Sequence, residues 1–274
     1  MPATALALAL AAAALHAGWN ILIARAGDPE GAGAAAILMG AAVFAPVAAL
    51  TWQVEWAAVP YIAASAAAEL AYFALLAAAY RRHDLSVVYP IARGAAPVLV
   101  LVVAVVVTSA QPSALEIMGV AVVAAGIMLV RGIHLGGEWA GAAMALGVAA
   151  CIATYTVIDK SGLHHASAIP YLEITLATSG ILYAAGLAAA RGPEVVRAGF
   201  SRWTAGAGVG MFLAYALVLA ALRLAPAASV AAVRETSVVM ATVLAAALLH
   251  EPVTRGRAAG SALVAAGIVA LALA

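Results

Sequence analysis

Long apolar runs separated by short polar breaks extend along the whole chain. A helix needs roughly 20 mostly apolar residues to cross the hydrocarbon core of a bilayer. The runs close to that length are ten in number and cover residues 3–24, 32–52, 57–80, 85–108, 113–131, 137–158, 167–190, 203–222, 227–249 and 256–273. The breaks at 53–56 and 111–112 are the weakest, so nine spans is the alternative.

The backbone of such a run has to satisfy its own hydrogen bonds, because lipid offers no partner and an open strand edge would be left bare. The runs are therefore predicted to be helices. Tryptophans at the predicted span ends fit this interpretation, since Trp concentrates at membrane interfaces; they are Trp52, Trp56, Trp139 and Trp203. The pattern predicts an all-α integral membrane protein with ten transmembrane helices, in the cell (inner or plasma) membrane.

Composition excludes an ordinary soluble domain. Of the 274 residues, 67% are hydrophobic and 9% are charged, whereas soluble domains are about 45–50% apolar and about 25% charged. The formal net charge of +1 gives no reason to expect a nucleic-acid partner. The single cysteine, Cys151, excludes a disulfide within the chain.

No catalytic or metal-binding motif is recognisable. The chain has no Walker A, HExxH or Gly-x-Ser-x-Gly pattern, and no histidine in a polar break forms a metal-ligand spacing with carboxylates on one helix face. We therefore predict no cofactor, no metal and no enzymatic activity. The rival interpretations from other classes are a membrane-embedded enzyme and a scaffold that transports nothing.

Lysine and arginine are distributed unevenly between the loops. Two follow even-numbered spans, Lys160 and Arg223. Nine follow odd-numbered spans, namely Arg25, Arg81, Arg82, Arg131, Arg191, Arg197, Arg202, Arg255 and Arg257. Cytoplasmic loops carry the excess of positive charge, so both termini are predicted to lie outside.

The chain contains an internal repeat. The segment 119–126, GVAVVAAG, recurs as GSALVAAG at 260–267, and AYFALLAA at 71–78 matches AYALVLAA at 214–221. The two shifts, 141 and 143 residues, are nearly equal. Each half, 1–133 and 134–274, would contain five spans, and an odd number inverts the second copy in the membrane. Inverted halves are a common plan of transporters, with the substrate site between them near the midplane.

These features resemble the EamA-type transporters of the drug/metabolite transporter superfamily. The resemblance rests on the two five-helix halves, the Gly-x6-Gly endings, the His250-Glu251-Pro252 break and the segment LSVVYPIARG at 85–94. It covers essentially the whole chain. It implies a basket of ten helices around a central cavity lined by helices 1, 3, 4, 6, 8 and 9, which works by alternating access. The resemblance does not indicate the substrate. The two halves also differ in one feature, since the first half has Gln111-Pro112 where the second half has Glu251-Pro252.

Five charged residues lie well inside the predicted spans: Glu69, Arg93, Glu173, Arg234 and Glu235. Such residues are costly in lipid and usually face a cavity or a partner. The two arginines are 141 residues apart, as the repeat would place symmetry mates, and a guanidinium binds carboxylate or phosphate in a bidentate manner. The alternative is that Glu69 neutralises Arg93, and that Glu235 or Glu173 neutralises Arg234, as structural ion pairs. The adjacent pair 234–235 points about 100° apart on a regular helix, so we expect each to find a partner on another helix.

Helix 4 contains Pro90, Gly94 and Pro97 within one span. Proline removes a backbone donor, and an interrupted span indicates a transporter site when its counterpart in the other half is interrupted too. Helix 9 has no such residue. An ordinary kink is the alternative. Tyr89 and Arg93 are four residues apart and share a face beside the interruption.

Helix 1 presents His16, Trp19 and Asn20 on one face. We interpret this face as a cavity wall, with interhelical hydrogen bonding as the alternative. Asp159 and Lys160, at a span end, are expected to be solvated or interfacial.

Tyrosines extend the predicted lining. Tyr72 lies three residues after Glu69, Tyr215 is its repeat mate, and Tyr155 shares a face with Asp159. The predicted substrate-binding set is His16, Trp19, Asn20, Glu69, Tyr72, Tyr89, Arg93, Tyr155, Tyr215, Arg234 and Glu235. The candidates for proton coupling are Glu69, Glu173 and Glu235.

Two arginines and three glutamates inside the membrane suit a zwitterion. The sequence therefore predicts a secondary active transporter that exports small polar metabolites such as amino acids. The alternative is a multidrug or organic-cation exporter, in which glutamates and aromatic rings hold the cation and the arginines are structural. The expected partners are a small-molecule substrate and the bilayer, for a monomer or a homodimer.

Overall fold

The structure, a computed structural model, describes residues 1–83, 85–131, 139–240 and 254–274. Over these ranges the protein is helical throughout, and the one β-type pairing is an isolated antiparallel bridge between Val54 and Ala166. The α-helices are α1 (Ala3–Ala24), α2 (Pro29–Leu50), α3 (Val59–Arg82), α4 (Leu85–Thr108), α5 (Ala114–Arg131), α6 (Trp139–Gly162), α7 (Ala168–Arg191), α8 (Pro193–Ala198), α9 (Arg202–Leu222), α10 (Ala227–Arg234) and α11 (Arg255–Leu273). A short 3-10 turn, Trp56–Ala58, precedes α3.

Eight helices of the described ranges are long and apolar enough to cross a membrane. They are α1, α2, α3, α4, α6, α7, α9 and α11. The predicted all-helical membrane architecture is thereby confirmed. The apolar part of α5 is one residue short of that length class, at Ala114–Val130, and the predicted ninth span, 227–249, runs into residues outside the described ranges. The His250-Glu251-Pro252 motif also lies outside them.

Short polar side chains cap the starts of some of the helices, among them α2 and α9. The Asp28 carboxylate accepts hydrogen bonds from the backbone amides of Glu30 (3.1 Å) and Gly31 (3.0 Å) at the start of α2. Ser201 and Thr204 form a reciprocal capping box at the start of α9. Such caps satisfy amides that a helix leaves without partners in its first turn.

The repeated glycines mediate close packing between α5 and α11. A methyl group added at Gly126 would lie 2.8 Å from the carbonyl oxygen of Gly260, and one added at Gly119 would lie 3.1 Å from that of Gly267. These distances are too short for any side chain. Small residues let membrane helices approach backbone to backbone, so the Gly-x6-Gly segments serve helix packing.

The remaining helices pack in pairs around a central space. α1 packs on α9 and α10, α3 on α6 and α7, α4 on α5, α6 and α10, and α2 on α7 and α9. The four tryptophans at the helix ends are between 56% and 91% exposed, as expected for side chains at a membrane interface.

The interrupted helix is α10 and not α4. Leu85–Thr108 is helical without a break, so the prediction of a broken helix 4 is wrong. Helix 9, which contains no glycine or proline, does have a break: α10 ends at Arg234, Glu235 forms a turn, and residues 236–240 are helical again. No glycine or proline marks this break. The hydroxyl of Thr236 donates to the carbonyl of Val233 (2.7 Å) and satisfies one acceptor that the turn frees.

Candidate functional site

Two adjoining pockets in the middle of the helix bundle form one polar cavity, to which they contribute volumes of about 90 and 190 Å³. They share six lining residues: His16, Trp19, Tyr72, Phe73, Arg93 and Met211. The lining comes from the helices that the family resemblance names, here α1, α3, α4, α6, α9 and α10, with α2 and α7 in addition.

Ten of the eleven predicted substrate residues line this cavity, and the eleventh, Glu235, lies directly behind it. The inner pocket contains Glu69, Tyr155, Tyr215 and Arg234. Asn20 and Tyr89 line the outer pocket. The structure therefore brings the whole predicted set together.

A buried ion triplet forms the positive end of the cavity. Glu235 is fully buried; its Oε2 lies 3.2 Å from Arg93 Nε, and its Oε1 lies 3.5 Å from Arg234 Nη2. Arg93 also contacts the imidazole of His16. The expectation that Glu69 pairs with Arg93 is wrong. Glu235 does find a partner on another helix, Arg93, as expected, and it also has a longer contact of 3.5 Å with its neighbour Arg234.

The triplet is short of hydrogen bonds. Arg234 Nε and Nη2, Arg93 Nε and both Glu235 oxygens are buried and have no hydrogen-bond partner among the described residues. Leaving a buried polar atom unpaired costs about 1–3 kcal/mol, and more for a charged group. A polar ligand that forms hydrogen bonds with these buried atoms would remove this cost.

Aromatic rings cover the other walls. Trp19 stands edge-on to His16 at 4.8 Å between ring centroids, and Tyr155 lies between Tyr72 (6.1 Å) and Tyr215 (5.9 Å) in the same geometry. The guanidinium of Arg93 lies 5.7 Å from the ring centroid of Tyr89. Such walls offer apolar contact and π faces that can hold a cation.

The two remaining glutamates differ in position. Glu69 is buried in the cavity wall and accepts a hydrogen bond from Ser179 Oγ at 2.9 Å. Glu173 is half-buried on α7, lines neither pocket, and its Oε2 has no hydrogen-bond partner among the described residues. The structure therefore does not bring Glu173 to the cavity.

Asp159 is the main residue that sequence reasoning missed. It is fully buried, not interfacial as predicted. Its carboxylate accepts hydrogen bonds from Ser65 Oγ (2.5 Å), Tyr171 OH (3.0 Å) and Tyr215 OH. The prediction failed because α6 runs on to Gly162, past the predicted end at 158, and α3, α7 and α9 cover its last turn. The shared face with Tyr155 was the available signal.

Lys160 is likewise not solvated but half-buried, in a reciprocal contact that ties the ends of α6 and α9. Its Nζ donates to the carbonyls of Leu222 and Ala225 at the end of α9 (2.7 Å each). Arg223, at that end, donates to the carbonyls of Leu163 (3.2 Å) and Ala166 (2.5 Å) after α6. We call this arrangement the carbonyl clasp. It lies on the side of the membrane that holds few arginines.

The cavity extends toward the opposite, arginine-rich side. The outer pocket reaches Pro29, Glu30 and Tyr80 there. Beside it, Glu30 contacts Arg81 (2.7 Å) and Arg191 (2.9 Å), and Arg191 also contacts Asp28 (2.5 Å). This network joins the ends of α2, α3 and α7.

Asp28 lies outside the membrane-spanning segments. Desolvation acts to raise the pKa of its carboxyl, but the backbone hydrogen bond from Gly31 and the guanidinium of Arg191 outweigh that effect. The pKa of Asp28 is therefore below its usual value. The carboxyl is charged at neutral pH and holds the network together.

Solved structures share this fold. One crystal structure, titled only "Crystal structure of protein", superposes with a TM-score of 0.80 at 14% sequence identity, and the match covers 100% of this chain and 98% of that one. At that identity the likeness shows the fold alone. No curated protein matches the sequence significantly.

Within the described ranges, eight helices long and apolar enough to cross a membrane pack around a buried cavity, which is the architecture of a multi-pass membrane protein. The sequence of the second half adds a family likeness: residues 139–273 match the model of the EamA-like transporter family. This match supports, for the second half of the chain, the resemblance seen in the sequence, and it points to a membrane transporter.

Proposed function

We propose that this transporter is a secondary active exporter of small polar metabolites such as amino acids, and that it works by alternating access in the cell membrane. The observation that carries the proposal is the buried triplet of Arg93, Glu235 and Arg234. Two guanidinium groups share one carboxylate, so the triplet has an excess of one positive charge.

That excess calls for an anion. A charge inside the membrane costs at least about 2.5–3.5 kcal/mol unless it is compensated. Arg93 already has Glu235 and His16, whereas the contact found for Arg234 among the ion pairs of the described residues is the longer one of 3.5 Å. We therefore assign the substrate carboxylate to Arg234, whose Nε and Nη2 have no hydrogen-bond partner in the described part of the chain and form the side-by-side pair of donors that binds carboxylate.

The positive group of the substrate has a matching position at Glu69. This carboxyl lines the same inner pocket as Arg234, together with Tyr72, Tyr155 and Tyr215. A ligand that carries both a carboxylate and an ammonium would compensate both ends of the pocket at once. The tyrosine rings would cover its apolar part.

Helix packing supports alternating access by two inverted halves. If α1–α5 are exchanged for α6, α7, α9, α10 and α11 in that order, the contact of α1 with α9 maps onto that of α6 with α3, and α1–α10 maps onto α6–α4. α5–α11 and α2–α7 map onto themselves. We propose ten transmembrane helices in halves 1–133 and 134–274, both termini outside, and a cavity open to the cytoplasm in this state.

The alternative substrate class is an organic cation, favoured by the carboxyl of Glu69 among aromatic rings. In that case the arginines would serve structure alone. Removal of Arg234 distinguishes the two functions, because it should weaken the binding of an amino acid and leave the binding of an organic cation unchanged.

Arg234→Gln tests the assignment. The variant keeps a neutral Arg93–Glu235 pair, so it should fold. It should bind amino acids at least about 30-fold more weakly, since the loss of a buried charge partner costs on the order of 2 kcal/mol or more. Binding is measured by ligand-induced thermal shift on detergent-purified protein with panels of amino acids, phosphorylated sugars and organic cations, followed by uptake in proteoliposomes.

Arg197→Gln is the matched control, because Arg197 is exposed and forms a surface ion pair with Glu194. Stabilisation by organic cations alone, unchanged by Arg234→Gln, would overturn the proposal in favour of the cation exporter. Conversion of a solute in place of its relocation would overturn both transport functions.

A further inference from the structure

All the hydrogen-bond donors to the Asp159 carboxylate that the described residues supply are hydroxyl groups. Ser65 and Tyr171 donate to its Oδ1, and Tyr215 donates to its Oδ2. These donors come from α3, α7 and α9, so four helices meet at one buried carboxyl. None of the ion pairs formed by the described residues includes Asp159.

No positively charged side chain of the described residues forms an ion pair with the Asp159 carboxylate. The titratable groups that face Asp159 are Glu69 from α3, Tyr171 from α7, Tyr215 from α9 and, through space, Arg234 from α10, with Tyr155 on its own helix. The neighbouring Lys160 turns away to the carbonyls of α9. A carboxylate without a contacting cation is costly in a membrane, and taking up a proton removes that charge.

Tyr215 connects this carboxyl to the cavity. Its hydroxyl donates to Asp159, and its side chain lines the inner pocket beside Tyr155. A second connection runs along α3, where Ser65 lies one turn before Glu69. Tyr215 therefore touches both places, so that protonation of Asp159 and binding of the substrate would act on the same side chain.

We propose that Asp159 is the carboxyl that takes up and releases the coupling proton, and that Tyr215 transmits its state to the substrate pocket. The proton, from water, forms an O–H bond at Oδ2, and the hydroxyl of Tyr215 gives up its hydrogen bond there and turns to the cavity. Release to water reverses both changes. This inference rests on the proposed transport function.

The position of the cluster links the proton to access. Asp159 holds α3, α7 and α9 together in the last turn of α6, next to the carbonyl clasp, on the side away from the cavity opening. A protonated carboxyl is a weaker acceptor than a carboxylate. Protonation thus loosens the helices that have to separate before the cavity can open to the other side.

The other intramembrane carboxyls fit this task less well. Glu235 contacts two arginines and is part of the buried triplet. Glu173 lines neither pocket. Glu69 lines the inner pocket, and in the proposed function it binds the positive group of the substrate.

The test compares Asp159→Asn with Glu116→Gln. Glu116 is a buried carboxyl with a single hydroxyl donor, Ser229 at 2.8 Å, and it lies outside the central cavity. Both variants are reconstituted in liposomes with tritiated L-alanine, L-threonine and L-phenylalanine as probes. Transport driven by a pH gradient is measured beside counterflow, which exchanges labelled for unlabelled probe without a gradient.

We expect Asp159→Asn to lose gradient-driven transport by about tenfold or more, because an amide cannot exchange a proton, and to keep counterflow within about twofold of the unchanged protein. Glu116→Gln should keep both. Any of three results would overturn the proposal. Asp159→Asn could keep gradient-driven transport, it could lose counterflow as strongly as gradient-driven transport, or a sodium gradient could drive transport by the unchanged protein.

A second measurement separates this proposal from the substrate assignment. Infrared difference spectra of the purified protein, recorded as the pH is lowered without any probe, should contain a protonated-carboxyl band. That band should be missing in Asp159→Asn and present in Glu116→Gln. If no amino acid is transported but the band behaves in this way, the proposed function fails and the proton site stands. A spectrum unchanged by Asp159→Asn refutes the site.

Discussion

The contact between α5 and α11 makes a sharp stability prediction at Gly260. In Gly260→Ala, the new methyl group would lie 2.5 Å from the amide nitrogen of Val130 and 2.6 Å from the carbonyl oxygen of Gly126. Both are backbone atoms, so no side chain can turn aside. Ordinary contact would require the helices to separate by roughly 1 Å, since carbon atoms pack at about 3.5–4 Å.

The expected cost follows from this overlap. Overpacking a well-packed contact costs about 1–3 kcal/mol, and each kcal/mol corresponds to about 2–4 °C for a chain near this size. We therefore expect Gly260→Ala to lower Tm by on the order of 2–10 °C. The measurement is thermal unfolding in detergent followed by the fluorescence of the five tryptophans.

Gly186→Ala is the matched control. This glycine lies within α7, and a methyl group there would meet nothing within 4 Å. Alanine in a helix is favoured over glycine by roughly 0.5–1 kcal/mol, so the control should be neutral or stabilising. The double variant Gly126→Ala/Gly260→Ala should cost less than the sum of the single changes, because both push apart the same contact. Equal Tm values for Gly260→Ala and Gly186→Ala would refute the reasoning.

Two further predictions concern the helix starts. Asp28→Asn keeps the cap of α2 but removes the charge beside Arg191; because the folded pKa of Asp28 is lowered, its stabilisation is complete above the unfolded value of about 3.9 and is lost as pH falls through the folded pKa. Unfolding curves of both proteins should thus differ at pH 7 and converge in acid; a constant difference would contradict this. Ser201→Ala removes the capping box of α9 and should cost about 1 kcal/mol in urea unfolding, whereas Ser261→Ala, which loses only a bond to its own helix, should cost less; equal costs would count against the cap.

Much of this arrangement is predictable from local pattern. The apolar runs locate the long helices to within a few residues, because span length is set by the bilayer and not by the details of packing. The spacing of 141 residues between Arg93 and Arg234 predicts that they face one space, and the structure places both on the inner pocket.

Tertiary contacts decide the rest. The turn at Glu235 has no glycine or proline to announce it, and the pull of Arg93 on the Glu235 carboxylate is visible only once α4 and α10 are side by side. The burial of Asp159 depends on three neighbouring helices. Glu173 is the opposite case, a predicted candidate that lines neither pocket. A charged residue within an apolar run does not by itself indicate whether its side of the helix faces the cavity.

The carbonyl clasp has a consequence for how this sequence can drift. Lys160 and Arg223 donate to main-chain oxygens at 222, 225, 163 and 166, and every amino acid supplies that oxygen. The hydrogen bonds of the clasp therefore place no demand on the kind of side chain at those four positions, although all four are buried in the core. They do fix the number of residues between those carbonyls, so a one-residue deletion there would break contacts that an exchange between apolar side chains of similar size leaves in place.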